Sequence, residues 1–300
     1  MKRLAPWLLC TVLFIASCKK NADDTTPTPP TPPPVVTPPG DNDPLLLGNP
    51  TNAVTSTSSP ENYLKDNIYY KLAYSRSKGT PIWVAWHLES GDMGGTPRQD
   101  DFRNDPGLPA GWYQVQNSDY SGSGFDRGHN CPSGDRTLSV PQNSSTFLMT
   151  NMIPQAPNLN QGPWEGLEDF ARNNLVGTAN EAYIFMGSLG IGGTNATGTF
   201  NTIAADRVVV PAKVWKVIIL LPKGNGDLAR LHSDATVLVV NMPNNHTLYS
   251  TSGAGRDAWR NYRTTINALE SEAQAASVPL NLLSGVADSI KTILKAKLYP

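Results

Sequence analysis

Runs of apolar, β-branched and aromatic residues, separated by glycine, proline and polar turns, predict a series of strands along the chain. The first two runs cover residues 68–74 and 82–88. A short polar segment joins them, and this pattern predicts a β-hairpin. Further strands are predicted over residues 146–151, 181–188, 207–210, 214–221 and 236–241.

Apolar residues at helical spacing predict three helices in the second half of the chain. The clearest begins near Gln161 and ends before Gly177, with Asn160 at or beside its N-cap. Its apolar stripe consists of Trp164, Leu167, Ala171 and Leu175. The other two helices are predicted over residues 257–276 and 285–298. Strands on both sides of helices predict an α+β domain, with a mixed or antiparallel central sheet flanked by helices.

Two segments rich in glycine interrupt these elements. Residues 90–124 are dominated by glycine, proline, aspartate and asparagine, and they predict a long irregular segment, which inside a compact domain is usually functional. Residues 187–193 follow a predicted strand but lack the Lys-Ser/Thr of a phosphate-binding loop, so we interpret them as a turn.

The N-terminal residues have the pattern of a bacterial lipoprotein signal. Lys2 and Arg3 precede an apolar run over residues 7–16, which is too short to span a bilayer as a helix. The run ends in Ile-Ala-Ser-Cys, which resembles a lipobox, in which a signal peptidase cuts before Cys18 and lipid is attached to its sulfur. We therefore expect residues 1–17 to be a signal peptide, with an ordinary secretory signal as the alternative.

The next segment has a composition that cannot form a core. Residues 18–60 consist largely of Thr, Pro, Asn, Asp and Ser, which predicts a disordered tether between the lipidated cysteine and a folded domain over residues 61–300. Lys19 and Lys20 differ from the aspartate that retains enteric lipoproteins at the inner membrane. We therefore expect an outer-membrane lipoprotein of the cell envelope, facing either the periplasm or the outside.

Charge and cysteine content narrow the function classes. Without Lys2 and Arg3 the chain has 22 basic and 25 acidic residues, a net charge near −3, which excludes a protein that coats nucleic acid through a broad basic face. Cys131 is the one cysteine beyond Cys18, so the mature chain has no internal disulfide. Because Cys131 lies two residues after His129, a Cys-His catalytic pair stays open beside the favoured interpretation, a buried structural thiol.

Two polar segments combine residue types that phosphodiester hydrolysis requires. Residues 125–130 contain Arg127 and His129, and residues 150–172 contain Asn160 and Glu168. Together they supply a base, a cation, a metal ligand and a carboxylate, the set needed to activate water beside a phosphate. Taken singly, His129 could be a structural histidine, and Glu168 with Arg172 a surface salt bridge.

The spacing of these residues resembles that of a known enzyme family. Asp126-Arg127-Gly128-His129, followed by Asn151, Asn160-Gln161-Gly162, Trp164 and Leu167-Glu168, is similar to the DNA/RNA non-specific endonucleases, which belong to the ββα-metal (His-Me finger) nucleases. The similarity covers roughly residues 60–275. It implies a ββα-metal fold and hydrolysis of DNA and RNA without sequence preference, leaving 5′-phosphate ends.

The resemblance also implies a role for each matching residue. His129 would be the general base that takes a proton from the attacking water. Asn160 would be the single protein ligand of a Mg²⁺ ion, with Mn²⁺ as an alternative, and such sparse coordination suits magnesium. Glu168 would orient water bound to the metal.

Three arginines are implied to act on the phosphate. Arg172 and Arg98 would offer charge to the transition state, with Arg103 as a competitor to Arg98, and Arg127 would bind phosphate or shape the site. Asn151 would support the histidine and metal region. Asp126 is interpreted as a structural carboxylate rather than a metal ligand.

Two other function classes remain open at this point. A catalytically silent envelope lipoprotein could bind nucleic acid through the arginines alone, and a related phosphodiesterase could act on a small nucleotide or another phosphodiester. A zinc site is not predicted, because His87, His232 and His246 form no zinc-binding pattern with Cys131.

Overall fold

The computed structural model describes residues 39–300. Its strands are β1 (Tyr63–Asp66), β2 (Lys71–Ser75), β3 (Thr80–Glu89), β4 (Asp126–His129), β5 (Met152–Gln155), β6 (Asn180–Leu189), β7 (Gly193–Asn195), β8 (Gly198–Phe200), β9 (Thr202–Ile203), β10 (Val208–Val209), β11 (Lys213–Pro222), β12 (Thr236–Pro243) and β13 (Arg263–Thr264). Its helices are α1 (Val140–Ser145), α2 (residues 157–176), α3 (Asp227–Arg230), α4 (Ile266–Ala275) and α5 (Asp288–Ala296). Short 3₁₀ turns cover Ser90–Asp92, Asn117–Tyr120, Ser133–Asp135, Met149–Asn151, His246–Leu248 and Gly253–Tyr262.

A seven-stranded sheet in the order β1-β2-β3-β6-β11-β12-β13 forms the centre of the domain, and every pairing in it is antiparallel. Helix α2 covers one face, where it packs on residues such as Trp86 and Ile218. Helices α4 and α5 cover the opposite face, where Trp83 and Trp215 are buried. Because both faces are covered, the central strands read as nearly continuous apolar runs. This agrees with the predicted α+β class and its central sheet.

Strands β4 and β5 pair antiparallel, and the chain then enters α2, so this part of the fold is a ββα unit. Gly128 in β4 lies against Gln155, and a Cβ atom there would be 2.2 Å from Oε1 of that side chain. The close approach requires glycine at this position. The unit lies beside the central sheet and carries the residues of the predicted site.

Helix α2 begins earlier than the sequence predicts. Pro157 occupies its first turn, so Asn160 has helical backbone angles and is not the N-cap; its N–H donates to Ala156. The helix comprises α-helical Pro157–Leu159 and Glu165–Phe170, with wider turns at Asn160–Trp164 and Ala171–Val176. Gly162 (φ −113°, ψ −110°) kinks it.

Other predicted elements are confirmed or corrected by the structure. The hairpin is present as β2 and β3, and residues 90–124 contain two short 3₁₀ turns and are otherwise irregular, as predicted. The prediction of a strand over residues 146–151 is wrong, because this segment contains a 3₁₀ turn and the strand β5 begins only after it. The helix over residues 257–276 is broken, since an extended pair at Arg263–Thr264 joins the sheet edge before α4 begins.

The predicted tether extends too far along the chain. Leu46, Leu47 and Ala53 are buried against the face of the sheet that α4 and α5 cover, so the folded part begins well before residue 61. The predicted signal peptide, Cys18 and the tether up to residue 38 lie outside the described residues. Within residues 39–300, no helix has the length and apolar character needed to cross a membrane.

Candidate active site

A cavity of about 340 Å³ opens between the ββα unit and the irregular segment that precedes it. Six of the predicted site residues line it together: Arg98, Arg127, His129, Asn160, Glu168 and Arg172. Their side chains come from β4, α2 and the irregular segment, so the fold gathers groups that are up to 74 positions apart in the sequence. Three arginines give the cavity the local positive charge that the acidic chain as a whole lacks.

His129 ends β4 with its ring held between two aromatic side chains. The ring centres of Phe102 and Phe147 lie 5.5 and 5.0 Å away, both in edge-on contact. Its Nε2 atom is buried with no partner among the described residues, which leaves Nδ1 as the nitrogen that can face the cavity. Burial, together with the charges of Arg98 and Arg127, lowers the pKa of His129 to about 3. The imidazole is therefore neutral at physiological pH and able to accept a proton.

Asn160 points its side chain into the cavity from the first turns of α2. Its Nδ2 atom donates to Oδ2 of Asp126 at 2.9 Å, and Gln161 donates to the same oxygen at 2.8 Å. Because the amide nitrogen is bound, the amide oxygen is the atom that Asn160 presents to the cavity. Asp126 itself does not line the cavity.

Glu168, two turns further along α2, contacts a lysine that the sequence analysis did not single out. Nζ of Lys216 donates to Oε1 of Glu168 at 3.0 Å. Burial raises the pKa of Glu168, while the charges of Lys216 and Arg172 oppose that rise. A lone lysine inside the apolar run of residues 214–221 was the signal that could have identified Lys216, since a lysine in a buried strand needs a partner.

Arg172 does not form the surface salt bridge with Glu168 that was the alternative interpretation. It donates to Asp135 at 2.8 Å and to Asp169 at 2.6 Å. The carboxylates of Asp135 and Glu168 raise the pKa of Arg172 although its burial opposes the rise. Trp86 of the central sheet also donates to Asp135, at 2.9 Å, so the sheet holds the partner of this arginine.

The two competing arginines of the irregular segment lie in different places. Arg98 lines the cavity, donates to Ser133 at 2.8 Å and stacks over Phe147 at 4.8 Å. Arg103 does not line it, and its guanidinium bonds Asp101 and the backbone oxygen of Ser144.

Arg127, the second residue of β4, also lines the cavity. Its guanidinium lies over the ring of Phe102, 4.5 Å from the centroid, and it donates to Asn117. Phe102 therefore contacts both Arg127 and His129 and helps to fix their relative positions.

Asn151, which was predicted to support the histidine and metal region, does not reach the cavity. Its fully buried side chain accepts from the backbone N–H of Cys131 and donates to the backbone oxygens of Cys131 and Thr146. It therefore clamps the chain just after His129, and its place is structural.

Cys131 is a buried structural thiol. Its side chain is fully buried, and burial raises the pKa of the thiol well above its usual value. A thiolate is the nucleophilic form, so the Cys-His catalytic alternative is wrong.

Two side chains of the cavity offer oxygen donors to a hard divalent cation. The amide oxygen of Asn160 and the Glu168 oxygen that Lys216 leaves free are of the kind that Mg²⁺ prefers, and the cavity has room for the waters that this ion keeps. These residues fit the metal that the resemblance implies.

A different group, in another part of the fold, has the spacing of a metal site. Among residues 39–300, His87, Glu181 and Asp227 are the His, Cys, Asp or Glu side chains close enough to share an ion. Side chains alternate along β3, so His87 points to the face opposite Trp86 and away from the cavity. Arg230 bonds both carboxylates there and already supplies the positive charge, which makes this group a buried ion network.

Comparisons with known proteins find similar sequences. The family model described as DNA/RNA non-specific endonuclease matches residues 47–289. A nuclease of Nostoc sp. (strain PCC 7120) is 40% identical over 253 residues, covering 84% of this chain and 85% of that protein. Human mitochondrial endonuclease G is 34% identical over 169 residues, covering 54% of this chain and 56% of that protein.

A solved structure shares the fold. The crystal structure of the EndoG/EndoGI complex contains a chain that superposes with a TM-score of 0.58 at 23% identity, covering 75% of this chain and 86% of that one. At this identity the likeness concerns the fold alone, and it agrees with the ββα unit and antiparallel sheet described above.

Proposed function

Because this chain belongs to the DNA/RNA non-specific endonuclease family and is a nuclease that hydrolyses nucleic-acid phosphodiester bonds, we propose that the cavity around His129 is its active site. One observation carries this proposal: His129, Asn160 and Glu168 meet three arginines in a single cavity. Binding alone would need only the arginines. A base and two oxygen donors beside them are the additional groups that hydrolysis requires.

We propose that His129 is the general base. It takes a proton from a water molecule as the water oxygen attacks phosphorus; the bond from phosphorus to the 3′-oxygen breaks, and that oxygen takes a proton from solvent. The products are a 5′-phosphate and a 3′-hydroxyl. Burial and the charges of Arg98 and Arg127 keep the imidazole of His129 neutral, so its free nitrogen can accept the proton of the water.

We propose that the arginines bind the phosphate and that the oxygen donors hold the cation and its water. Arg98, Arg127 and Arg172 would bind the phosphate and stabilise the negative charge that grows on its oxygens. Asn160 would hold Mg²⁺ through its amide oxygen, and Glu168 would orient water beside it. When bound, the cation would act as a Lewis acid on the phosphate. Contacts to phosphate rather than to base edges leave little sequence preference.

We propose further that Cys18 is lipidated and that the domain is attached to the outer membrane. The lipobox-like residues 15–18 and the lysines after Cys18 support this address. When bacterial cells that express the protein are grown with radioactive palmitate, the wild-type protein should carry the label and a C18S variant should not. Label that persists in C18S, or its absence from wild type, would refute the anchor.

Cleavage assays test the nuclease site directly. The purified protein is incubated with plasmid DNA and with RNA, in Mg²⁺ or in EDTA, beside H129A and a control variant, H232A, whose histidine is exposed and outside the cavity. We expect cleavage to stop in EDTA and to fall at least about 100-fold in H129A, with H232A unchanged. Cleavage that survives both EDTA and H129A would overturn the proposal, and binding without cleavage would indicate a silent binding protein.

A further inference from the structure

Lys216 occupies an unusual place for a lysine, in the middle of the central sheet. It lies in β11 between β6 and β12, opposite Met186 and Val240, and its side chain is 2% exposed. Its neighbours on the same face are apolar residues such as Val214 and Ile218. Burial of an unpaired ammonium costs free energy, so a buried lysine needs a partner of opposite charge. The contacts of Lys216 identify that partner.

The ammonium has one carboxylate partner among the described residues, Glu168. The two atoms, Nζ and Oε1, are 3.0 Å apart. Two tryptophan rings complete its surroundings, Trp164 at 4.6 Å and Trp86 at 5.6 Å from Nζ to the ring centroid. These rings attract a cation through their faces but do not neutralise its charge. Lys216 is therefore fixed by aromatic contacts and directed at one oxygen of Glu168.

This contact determines which part of Glu168 is available to the cavity. Lys216 binds Oε1 of Glu168, which leaves Oε2 as the oxygen without this partner, and Glu168 lines the cavity. Glu168 sits on α2, and Lys216 sits on a central strand that is paired on both sides. The ion pair thus ties the orientation of a cavity side chain to a central strand of the sheet. The charge of Lys216 also opposes the rise that burial causes in the pKa of Glu168.

We propose that Lys216 is a positioning residue of the nuclease reaction: it holds the Glu168 carboxylate in one orientation, with Oε2 toward the cavity. The inference rests on the proposed role of Glu168 and extends the active site into the central sheet. Lys216 itself does not line the cavity, so it acts through Glu168 and does not contact the substrate.

The same strand provides a matched control. Lys213 is three residues away, on the partly exposed end of β11, where its ammonium pairs with Glu272 at 2.7 Å. A K213M variant loses an ion pair of similar length whose two residues do not line the cavity. We expect its cleavage rate to stay within about twofold of wild type, as for other exposed pairs.

A double-mutant cycle distinguishes an effect of Lys216 on the orientation of Glu168 from a general effect on the stability of the fold. We expect K216M to lower kcat for plasmid cleavage about 10- to 100-fold and to raise the Mg²⁺ concentration for half-maximal activity, with KM for DNA nearly unchanged. In an E168Q background, K216M should change kcat by less than about twofold, because the carboxylate that Lys216 orients is already absent. Melting temperatures identify the folded variants, and K216Q replaces K216M if K216M does not fold.

The outcomes distinguish this inference from the proposed function. A folded K216M or K216Q that keeps full kcat refutes the role of Lys216, and so does an equal loss of kcat in the E168Q background. Full activity of E168Q would refute the role of Glu168 and with it the inference. Loss of cleavage in E168Q and H129A, without loss in K216M, would leave the proposed site standing and overturn the inference alone.

Discussion

Asp126 accepts a hydrogen bond of 2.9 Å from the side-chain nitrogen of Asn160, and this contact joins strand β4 to helix α2. The two residues are 34 positions apart in the sequence, and each belongs to a different element of the ββα unit. The bond fixes which end of the Asn160 amide faces the cavity. Asp126, the first residue of the Asp-Arg-Gly-His motif, therefore orients the proposed metal ligand without lining the cavity.

Removal of the Asp126 carboxylate should weaken the response to Mg²⁺. In D126A the Asn160 amide is free to rotate, so we expect about a tenfold higher Mg²⁺ concentration for half-maximal cleavage, with a smaller change in KM for DNA. Titration of cleavage rate against Mg²⁺ measures this. D206A, which removes an exposed aspartate of a distant turn, is the control. Equal Mg²⁺ curves for D126A and wild type would contradict the orienting role.

His129 should make the stability of the protein depend on pH. Its pKa is about 3 in the folded protein against an ordinary value of 6.5, so between these values the unfolded chain binds a proton that the folded one does not. The contribution is fully present above pH 6.5 and is lost as pH falls toward 3. Between pH 7 and pH 5 the free energy of unfolding should fall by about 2 kcal/mol through this group.

Urea unfolding in EDTA at pH 7 and pH 5 measures this loss. H129Q cannot titrate in this range, so its stability should fall less than that of wild type over the same interval. His87, whose pKa burial also lowers, is present in both proteins and cancels from the comparison. An identical pH dependence of the two proteins would show that His129 is not desolvated as described.

The site residues that could be predicted from the sequence are those that lie close together in it, in short motifs. His129, Asn160 and Glu168 belong to two short segments, and α2 brings Asn160 and Glu168 to one cavity wall because they lie eight residues apart on a single helix. The central strands were equally predictable, since each is a nearly continuous apolar run. The pairing of Lys216 with Glu168 and the bond from Asn160 to Asp126 were not, because they depend on which elements pack against helix α2.

The start of the domain was misjudged for a different physical reason. Residues 39–60 resemble the preceding tether in composition, yet Leu46 and Leu47 insert into the core that α4 and α5 cover. A short apolar cluster within a polar stretch has no helical or strand periodicity. Its burial therefore cannot be predicted until the part of the core against which it packs is known.

Leu47 should therefore contribute to stability as a core residue does. Its side chain is 1% exposed, and truncation in L47A should lower the free energy of unfolding by about 2–5 kcal/mol. L298A, at a leucine that is 61% exposed, is the matched control and should change it by less than about 0.5 kcal/mol. Denaturant unfolding of the three proteins measures both. Equal stability of L47A and L298A would mean that residues 39–60 do not belong to the folded domain.

Arg98 and Arg103 provide the last test, because the sequence left both open and the structure separates them. Arg98 reaches the cavity with its charge only partly engaged, by Asp100 and Ser133, whereas Arg103 is held by Asp101 and a backbone oxygen outside it. A charge that acts on the phosphate must lie where the phosphate binds. We therefore expect R98A to lower kcat at least about tenfold and R103A to change it less than about threefold. Steady-state cleavage of a short DNA duplex, with melting temperatures to exclude unfolding, measures both. A greater loss in R103A than in R98A would mean that the substrate phosphate lies outside the cavity, toward α1, and that the proposed site is placed wrongly.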